Sequence, residues 1–224
     1  MHRAEQLDNL YIFKNTEGTP ENIRKFHPNI IVSSTGSAPL LPPIAGLKDR
    51  IDNENHNIYS ILGMISHIND FPKDLEGKKV VVVGGGAVGL DVVEFFADRN
   101  ADISIVEMMD QIGRDLDPVS KNDTKTMMKK HNVHQLTKTA LLEVKDSSFL
   151  VRGDGEPYEL PFEYGFVCLG MRAQGQLYQN LTEEFSSEDV EIMNIGDSQR
   201  ARRIIDGTQE GRNILTILEQ KGYL

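Results

Sequence analysis

The sequence predicts an α/β fold with a parallel sheet, and three observations predict it. Val80-Val81-Val82-Val83 is a continuous apolar run, the pattern of a strand buried on both faces. Gly84-Gly85-Gly86-Ala87-Val88-Gly89 turns the chain directly after it. Residues 88–99 then carry Val88, Val92, Phe95 and Phe96 at helical spacing, and Ile103-Ser104-Ile105-Val106 follows as a second strand closed by Glu107. Strand, loop, helix and strand in this order make a Rossmann-like βαβ unit.

The remaining elements are read outward from that unit. Residues 1–28 are polar without a strong period, apart from a short helix expected over 19–26. Thr19 is placed to cap it and Pro20 suits its first position. Residues 29–34 read as a strand that ends at Thr35-Gly36-Ser37-Ala38-Pro39, and 59–69 as a helix. Residues 118–131 read as a helix that opens with Pro118 and closes on Lys129-Lys130-His131, which suits the negative pole of its dipole. Short β segments are expected at 139–145, 148–152 and 157–162. Phe166-Val167-Cys168-Leu169 is a further buried strand ending at Gly170, and residues 190–195 form the last strand, before Gly196-Asp197. A final helix over 201–220 is expected to face Ile204, Ile205, Ile214, Leu215 and Leu218 inward. The organisation expected is a three-layer α/β domain at 74–176, with residues 1–73 and 177–224 joining as a second unit.

Composition narrows the function. The chain has 224 residues, a formal net charge of -10 and basic residues that are scattered, which argues against nucleic acid. No apolar run has the length of a membrane span, and Met1-His2-Arg3-Ala4-Glu5 leads into no apolar stretch of a secretory signal. Cys168 is the single cysteine, so a disulfide, a CxxC pair or a cysteine-bound cluster within this chain is excluded. A reducing, cytoplasmic setting is the expectation.

The glycine loop carries the chemistry. Gly84, Gly86 and Gly89 satisfy G-x-G-x-x-G in the one context that makes the motif specific, after a strand and opening a helix. Gly84 permits the tight turn, Gly86 lets backbone approach a pyrophosphate, and Gly89 lets the helix pack close to the strand. Gly85, Ala87 and Val88 complete the cradle, where helix N–H groups meet phosphate. Glu107 stands where an acid accepts from both ribose hydroxyls of an adenosine and repels a 2′-phosphate. The residues after it are Met108, Met109 and Asp110, with Arg114 the first base, so NADH is expected over NADPH. Gly170 lies at a strand end on the edge where such sheets bind ligands, and is expected near the nicotinamide ribose.

Three blocks together resemble flavoprotein reductases of the disulfide-reductase fold: residues 31–39, 80–89 and 194–198. The resemblance implies an NAD(P)-binding domain inserted in an FAD-type domain, here a partial one. Thr35 and Gly36 match the connection between the two, and Gly196 and Asp197 match the segment that holds FAD. Finer features, Leu90-Asp91-Val92-Val93, Ile105-Val106-Glu107-Met108, Leu169-Gly170-Met171-Arg172 and residues 202–211, resemble the C-terminal module of the 2-enoate and 2,4-dienoyl-CoA reductases, the NADH:flavin oxidoreductase family. That family links an FMN barrel and a 4Fe–4S segment to this module. NADH reduces FAD there, and an activated C=C bond is reduced elsewhere in the protein.

This chain departs from the family in four ways. No second glycine loop for FAD precedes Thr35, the barrel and cluster cysteines are missing, Asp91 stands for the usual Glu, and Ser33-Ser34-Thr35 departs from the usual Ala-Thr. The chain therefore reads as a C-terminal fragment, or a degenerate remnant, of a multi-cofactor flavoenzyme. Its expected partners are dinucleotides and the FMN and iron–sulfur domains of the same polypeptide. Its incomplete half is expected either to pack poorly or to help form a homo-oligomer. The alternatives are a flavin-dependent NADH oxidase of the same fold, or a nucleotide-binding domain without activity.

Other residues read as structural. Gly36 and Asp197 either contact FAD or only make a turn and cap the final helix. Cys168 reads as a small buried hydrophobe, His131 and His134, three apart but straddling a helix end and a strand start, as no metal pair, and Asp110, Asp115 and Asp117 as solvated acids. Arg172 either meets a phosphate or carboxamide or lies at the surface. No residue is assigned a catalytic role, and no metal is expected.

Overall fold

The computed structural model describes residues 6–223. Met1-His2-Arg3-Ala4-Glu5 lie outside the described residues. In chain order the first elements are α1 (Pro20–Arg24), β1 (Ile30–Ser33), β2 (Ser37–Pro39), α2 (Leu47–Arg50), β3 (Ile58–Tyr59) and α3 (Ile61–Ser66). The centre of the chain forms β4 (Lys79–Val83), α4 (Ala87–Ala97), β5 (Asp102–Val106), α5 (Pro118–Lys130) and β6 (His134–Leu136). Then come β7 (Ala140–Val144), β8 (Ser148–Arg152), β9 (Tyr158–Pro161), β10 (Tyr164–Val167) and β11 (Met171–Ala173). The chain closes with α6 (Gln176–Glu184), β12 (Glu191–Asn194), a 3-10 turn at Gly196–Ser198 and α7 (Ile204–Gln220). No described helix is long and apolar enough to cross a membrane.

The chain divides into two compact units, one of residues 38–172 and one of residues 1–37 with 173–224. This division falls at 37/38 and 172/173, where the sequence expectation has 73/74 and 176/177. Residues 38–73 pack into the larger unit because Leu47, Ile51 and Ile58 are buried in its core and β3 pairs with β10.

The larger unit has three layers. Its middle is a parallel sheet in the order β3-β10-β4-β5-β6. A three-stranded antiparallel sheet, β7-β8-β9, forms a second layer. Helices form the third. Strand β4 shows how one sequence serves both faces, since side chains alternate along a strand. Val80 and Val82 pack with Leu90, Val92, Val93 and Phe96 on the helical side. Val81 and Val83 pack with Val144, Phe149 and Val151 on the other. This is the α/β Rossmann-type dinucleotide-binding fold that the sequence predicts, with the antiparallel segment from 139 to 162 as its outer layer.

The smaller unit is built differently. Strands β1 and β12 pair in parallel, Ile30 with Glu191 through Ser33 with Asn194, and form a sheet of two. Helices α1 and α6 pack on it around Ile31, Leu181 and Phe185. Thr19 caps α1 as expected, its side chain accepting from the Asn22 N–H. The inward face expected for α7 does not form. Ile204 is 90% exposed and Leu215 63%, Ile205 is exposed as well, and Leu218 is the buried residue of the helix. An amphipathic helix buries its stripe only where a layer lies against it. Leu10-Tyr11-Ile12-Phe13, an apolar run within the stretch read as polar, is exposed and outside any strand.

Phe96 sits at the centre of the helical-side core, fully buried, with its ring 4.8 Å from Phe166 and 5.2 Å from Phe71. Phe96→Ala removes this aromatic cluster's hub. It is expected to cost about 3–5 kcal/mol, read as a lowered midpoint in urea unfolding. A loss under about 1 kcal/mol would contradict this packing.

Candidate functional site

The candidate site forms where the parallel strands of the larger unit end together. Val83 pairs with Val106 on one side and with Val167 on the other. Gly84, Glu107 and the Cys168–Gly170 segment therefore leave the sheet side by side. The Gly84 N–H donates to Val106 O at 2.8 Å and the Cys168 N–H to Val83 O at 2.7 Å. Glu107 is held in line by its own N–H to Leu136 O and by the Thr139 N–H to its carbonyl, each at 2.9 Å.

Within the loop, each glycine meets a different constraint. Gly84 has φ +109°, and a Cβ there would lie 2.2 Å from Cys168 O. A Cβ at Gly89 would lie 1.9 Å from Gly84 O, so the first turn of α4 rests on the loop's own backbone. Gly86 is exposed and extended, and nothing lies within 4 Å of its Cβ position. It serves as N-cap of α4 without a side-chain acceptor, which leaves helix N–H groups for solvent or an anion. Ala87 is exposed beside it and Val88 half-buried.

Glu107 is half-buried and already engaged. Its Oε2 accepts from the Gly85 N–H at 2.6 Å and its Oε1 from the Met109 N–H at 2.8 Å. A carboxylate has about four acceptor positions, so lone pairs remain for further donors. A second tie joins the loop to the segment after Glu107, the Gly113 N–H donating to Gly85 O at 2.7 Å. The spacing of glycine loop and acid was legible in the sequence, but not this brace by Gly113. Gly170 has φ +103° with open space around its Cβ position. Arg172 is exposed.

Thr35, Gly36, Gly196 and Asp197 come together in the smaller unit, where β1 and β12 end in register. Thr35 Oγ1 donates to Gln174 O at 2.5 Å, and the Gln174 N–H donates to Gly36 O at 3.0 Å. Gly36 and Gly196 both have positive φ, +78° and +66°, with nothing within 4 Å of either Cβ position. Asp197 accepts from Ser37 Oγ and from the Arg202 N–H, each at 3.1 Å. It therefore does not cap α7, whose N-cap is Arg203. Glu210 was missed as a site residue. Its Oε2 accepts from the Gly196 N–H at 2.6 Å, and its Oε1 pairs with Arg202 at 2.5 Å. The Gly196 bond first, and Arg202 next, hold its carboxyl below the usual carboxylate range.

Three further readings meet the structure. Asp117 is no idle acid: its side chain caps α5, accepting from the Val119 and Ser120 N–H groups. The signal was present, an Asp directly before a Pro-led helix. His134 pairs with Asp102 at 3.4 Å, and among the described residues no group of three His, Cys, Asp or Glu could hold a metal. Cys168 is buried, and that burial, with Asp91 adding to it, pushes its thiol up to about 12.

Two outcomes are expected from this geometry. Burial keeps the Cys168 thiol protonated and unreactive at ordinary pH. Iodoacetamide is expected to label it only after unfolding. Fast labelling of the folded chain, read by mass spectrometry, would contradict its burial. Gly86→Ala meets no protein atom, so its unfolding free energy is expected to stay within about 0.5 kcal/mol of the parent. Any phosphate ligand of the loop is expected to bind at least about tenfold more weakly.

Comparison with known proteins agrees with this architecture. A protein named NADH oxidase from Thermoanaerobacter brockii is 26% identical over 192 residues, which cover 85% of this chain and 28% of that protein. A metal reductase from Desulforamulus reducens is 26% identical over 234 residues, covering 88% and 32%. Among solved structures, a 2-naphthoyl-CoA reductase in complex with 2-naphthoyl-CoA superposes with a TM-score of 0.72 at 22% identity, over 88% of this chain and 28% of that one. The chain thus spans about a third or less of the length of these relatives. The family described as pyridine nucleotide-disulphide oxidoreductase matches residues 8–193, and the chain belongs to that family.

Proposed function

We propose that this chain is the NADH-binding reductase module of a larger flavoenzyme that reduces an activated C=C bond, of an enoate or a dienoyl thioester. The observation that carries the nucleotide part is the open face at Gly86 beside the Glu107 carboxylate. The loop leaves free space where a pyrophosphate needs it, and the acid keeps lone pairs for ribose hydroxyls. These residues fit an NAD molecule. In this reading Gly84 to Gly89 orient the pyrophosphate and Glu107 accepts from the adenosine ribose. The same carboxylate disfavours a 2′-phosphate by like-charge repulsion. Gly170 leaves its strand end open to the nicotinamide half.

The smaller unit supports a flavin in part. Gly36 and Gly196 present backbone without side chains, and Ser37 and the Arg202 N–H fix the Asp197 carboxylate. The glycine loop that would hold the flavin's ADP part is not in this sequence. When both are bound, the nicotinamide supplies a hydride and the flavin accepts it. In this reading each unit holds its own dinucleotide, Glu107 excludes the wrong one, and no acid–base residue is needed for that transfer. Although the family name refers to disulphides, Cys168 alone offers no thiol pair.

The identity of the acceptor rests on the sequence blocks and on the reductases among the relatives. A second reading, a flavin-dependent NADH oxidase, is favoured by the relative of that name.

Glu107→Ala is expected to weaken NADH by at least about tenfold, or ~1.4 kcal/mol, and to erase the preference over NADPH. Titration of both nucleotides measures it, and a parent that prefers NADPH would refute the assignment of Glu107. For the whole protein, NADH oxidation is to be followed without oxygen, in the presence of an enoate or dienoyl thioester. Turnover there supports the enoate reading. Turnover with oxygen alone supports the oxidase. This chain by itself is expected to purify with little or no flavin colour and to oxidise little NADH with dyes.

A further inference from the structure

A cavity of about 310 Å³ lies between the loop Asp110–Leu116 and helix α5. That size is at the low end of small-molecule sites, which run from about 300 to 1,000 Å³. Its apolar lining is Ile112, Leu116 and the buried Met128, and its charged lining is Lys121, Lys125 and Asp110. Lys121, Lys125 and Lys129 recur every fourth residue, which sets them in one stripe along α5. Like charges at that spacing disfavour a helix. Among the described residues, none of the three makes an ion pair, in a chain of net charge -10. Of the acids on and before α5, Asp117 is taken up as the helix N-cap, and Asp123 lines the adjoining cavity toward α4, not this one.

Apolar surface and unpaired cations in one cavity call for a ligand with both characters. We propose that this cavity binds a small amphipathic monocarboxylate, its aryl or acyl body against Ile112, Leu116 and Met128 and its carboxylate between Lys121 and Lys125. Two ammonium groups against one carboxylate, Asp110, leave a single net positive charge. That balance matches one carboxylate better than a polyphosphate. No residue of the glycine loop lines this cavity, which adjoins the loop through the Gly113 N–H on Gly85 O.

The test is a ¹⁵N NMR titration of the chain with 3-phenylpropionate. The amides of Gly113, Lys121 and Lys125 are expected to shift with saturation. The double variant K121Q/K125Q is expected to bind at least about tenfold more weakly, with its other amide positions unchanged. The uncharged twin, 3-phenylpropanamide, is expected to bind weakly and equally to both. Acetate, which lacks the apolar body, is expected to leave these amides in place. Absence of shifts at millimolar 3-phenylpropionate, or equal affinity of the double variant, would overturn the proposal. So would displacement of the ligand by NADH at a concentration that shifts Gly85 and Gly86, because the cavity would then be part of the nucleotide site. Lysine-dependent pelleting with phosphatidylserine vesicles, without a response to 3-phenylpropionate, would assign the stripe to a surface and also overturn it.

Discussion

The larger unit depends on a strand that is buried on both of its faces. Strand β4 is covered by helices through Val80 and Val82 and by the antiparallel sheet through Val81 and Val83. Burying a valine on each side gains roughly 1.5–3 kcal/mol per side chain, and the gain is realised only if neighbouring strands pair in register. Register in turn decides where the strands stop. Because Val83, Val106 and Val167 lie level, the glycine turn, the acid and the Gly170 turn emerge along one edge. The site is thus a consequence of core packing.

The loop on that edge is set by exclusion as much as by attraction. Cys168 O and Gly84 O stand where side chains at Gly84 and Gly89 would need to be. Glu107 and Gly113 then draw the loop from the opposite side through Gly85, one accepting its N–H and the other donating to its carbonyl. Contacts on both sides hold the loop in shape before any ligand arrives, which lowers the entropy cost of binding. The one glycine without such a neighbour, Gly86, faces outward.

The smaller unit shows what happens when the covering layer is thin. Parallel strands are ordinarily buried on both faces, yet β1 and β12 form a sheet of two around a core of Ile31, Leu181 and Phe185. Local polar bonds carry much of its order. Arg24 bridges Glu184 and Glu188, and Glu210 ties α7 to Gly196. Exposed polar pairs of this kind are screened by solvent, so they direct geometry more than they stabilise it.

The sequence by itself determined the βαβ unit, its loop and its acid. Their signals are local: a run of valines, glycines at fixed offsets, a helical period and an acid at the end of a strand. Turn chemistry and side-chain alternation act over a few residues and survive without knowledge of the partner. Thr19 before Pro20 and Asp117 before Pro118 are equally local, although only the first was read as a cap. The tertiary structure alone decided which segments share a core. Residues 38–73 joined the larger unit through Leu47, Ile51 and Ile58, whose partners lie far along the chain. It also decided that Ile204, Ile205 and Leu215 stay exposed. A hydrophobic stripe states what a helix can bury. Whether it is buried depends on a second surface, and that surface is a property of the assembled chain.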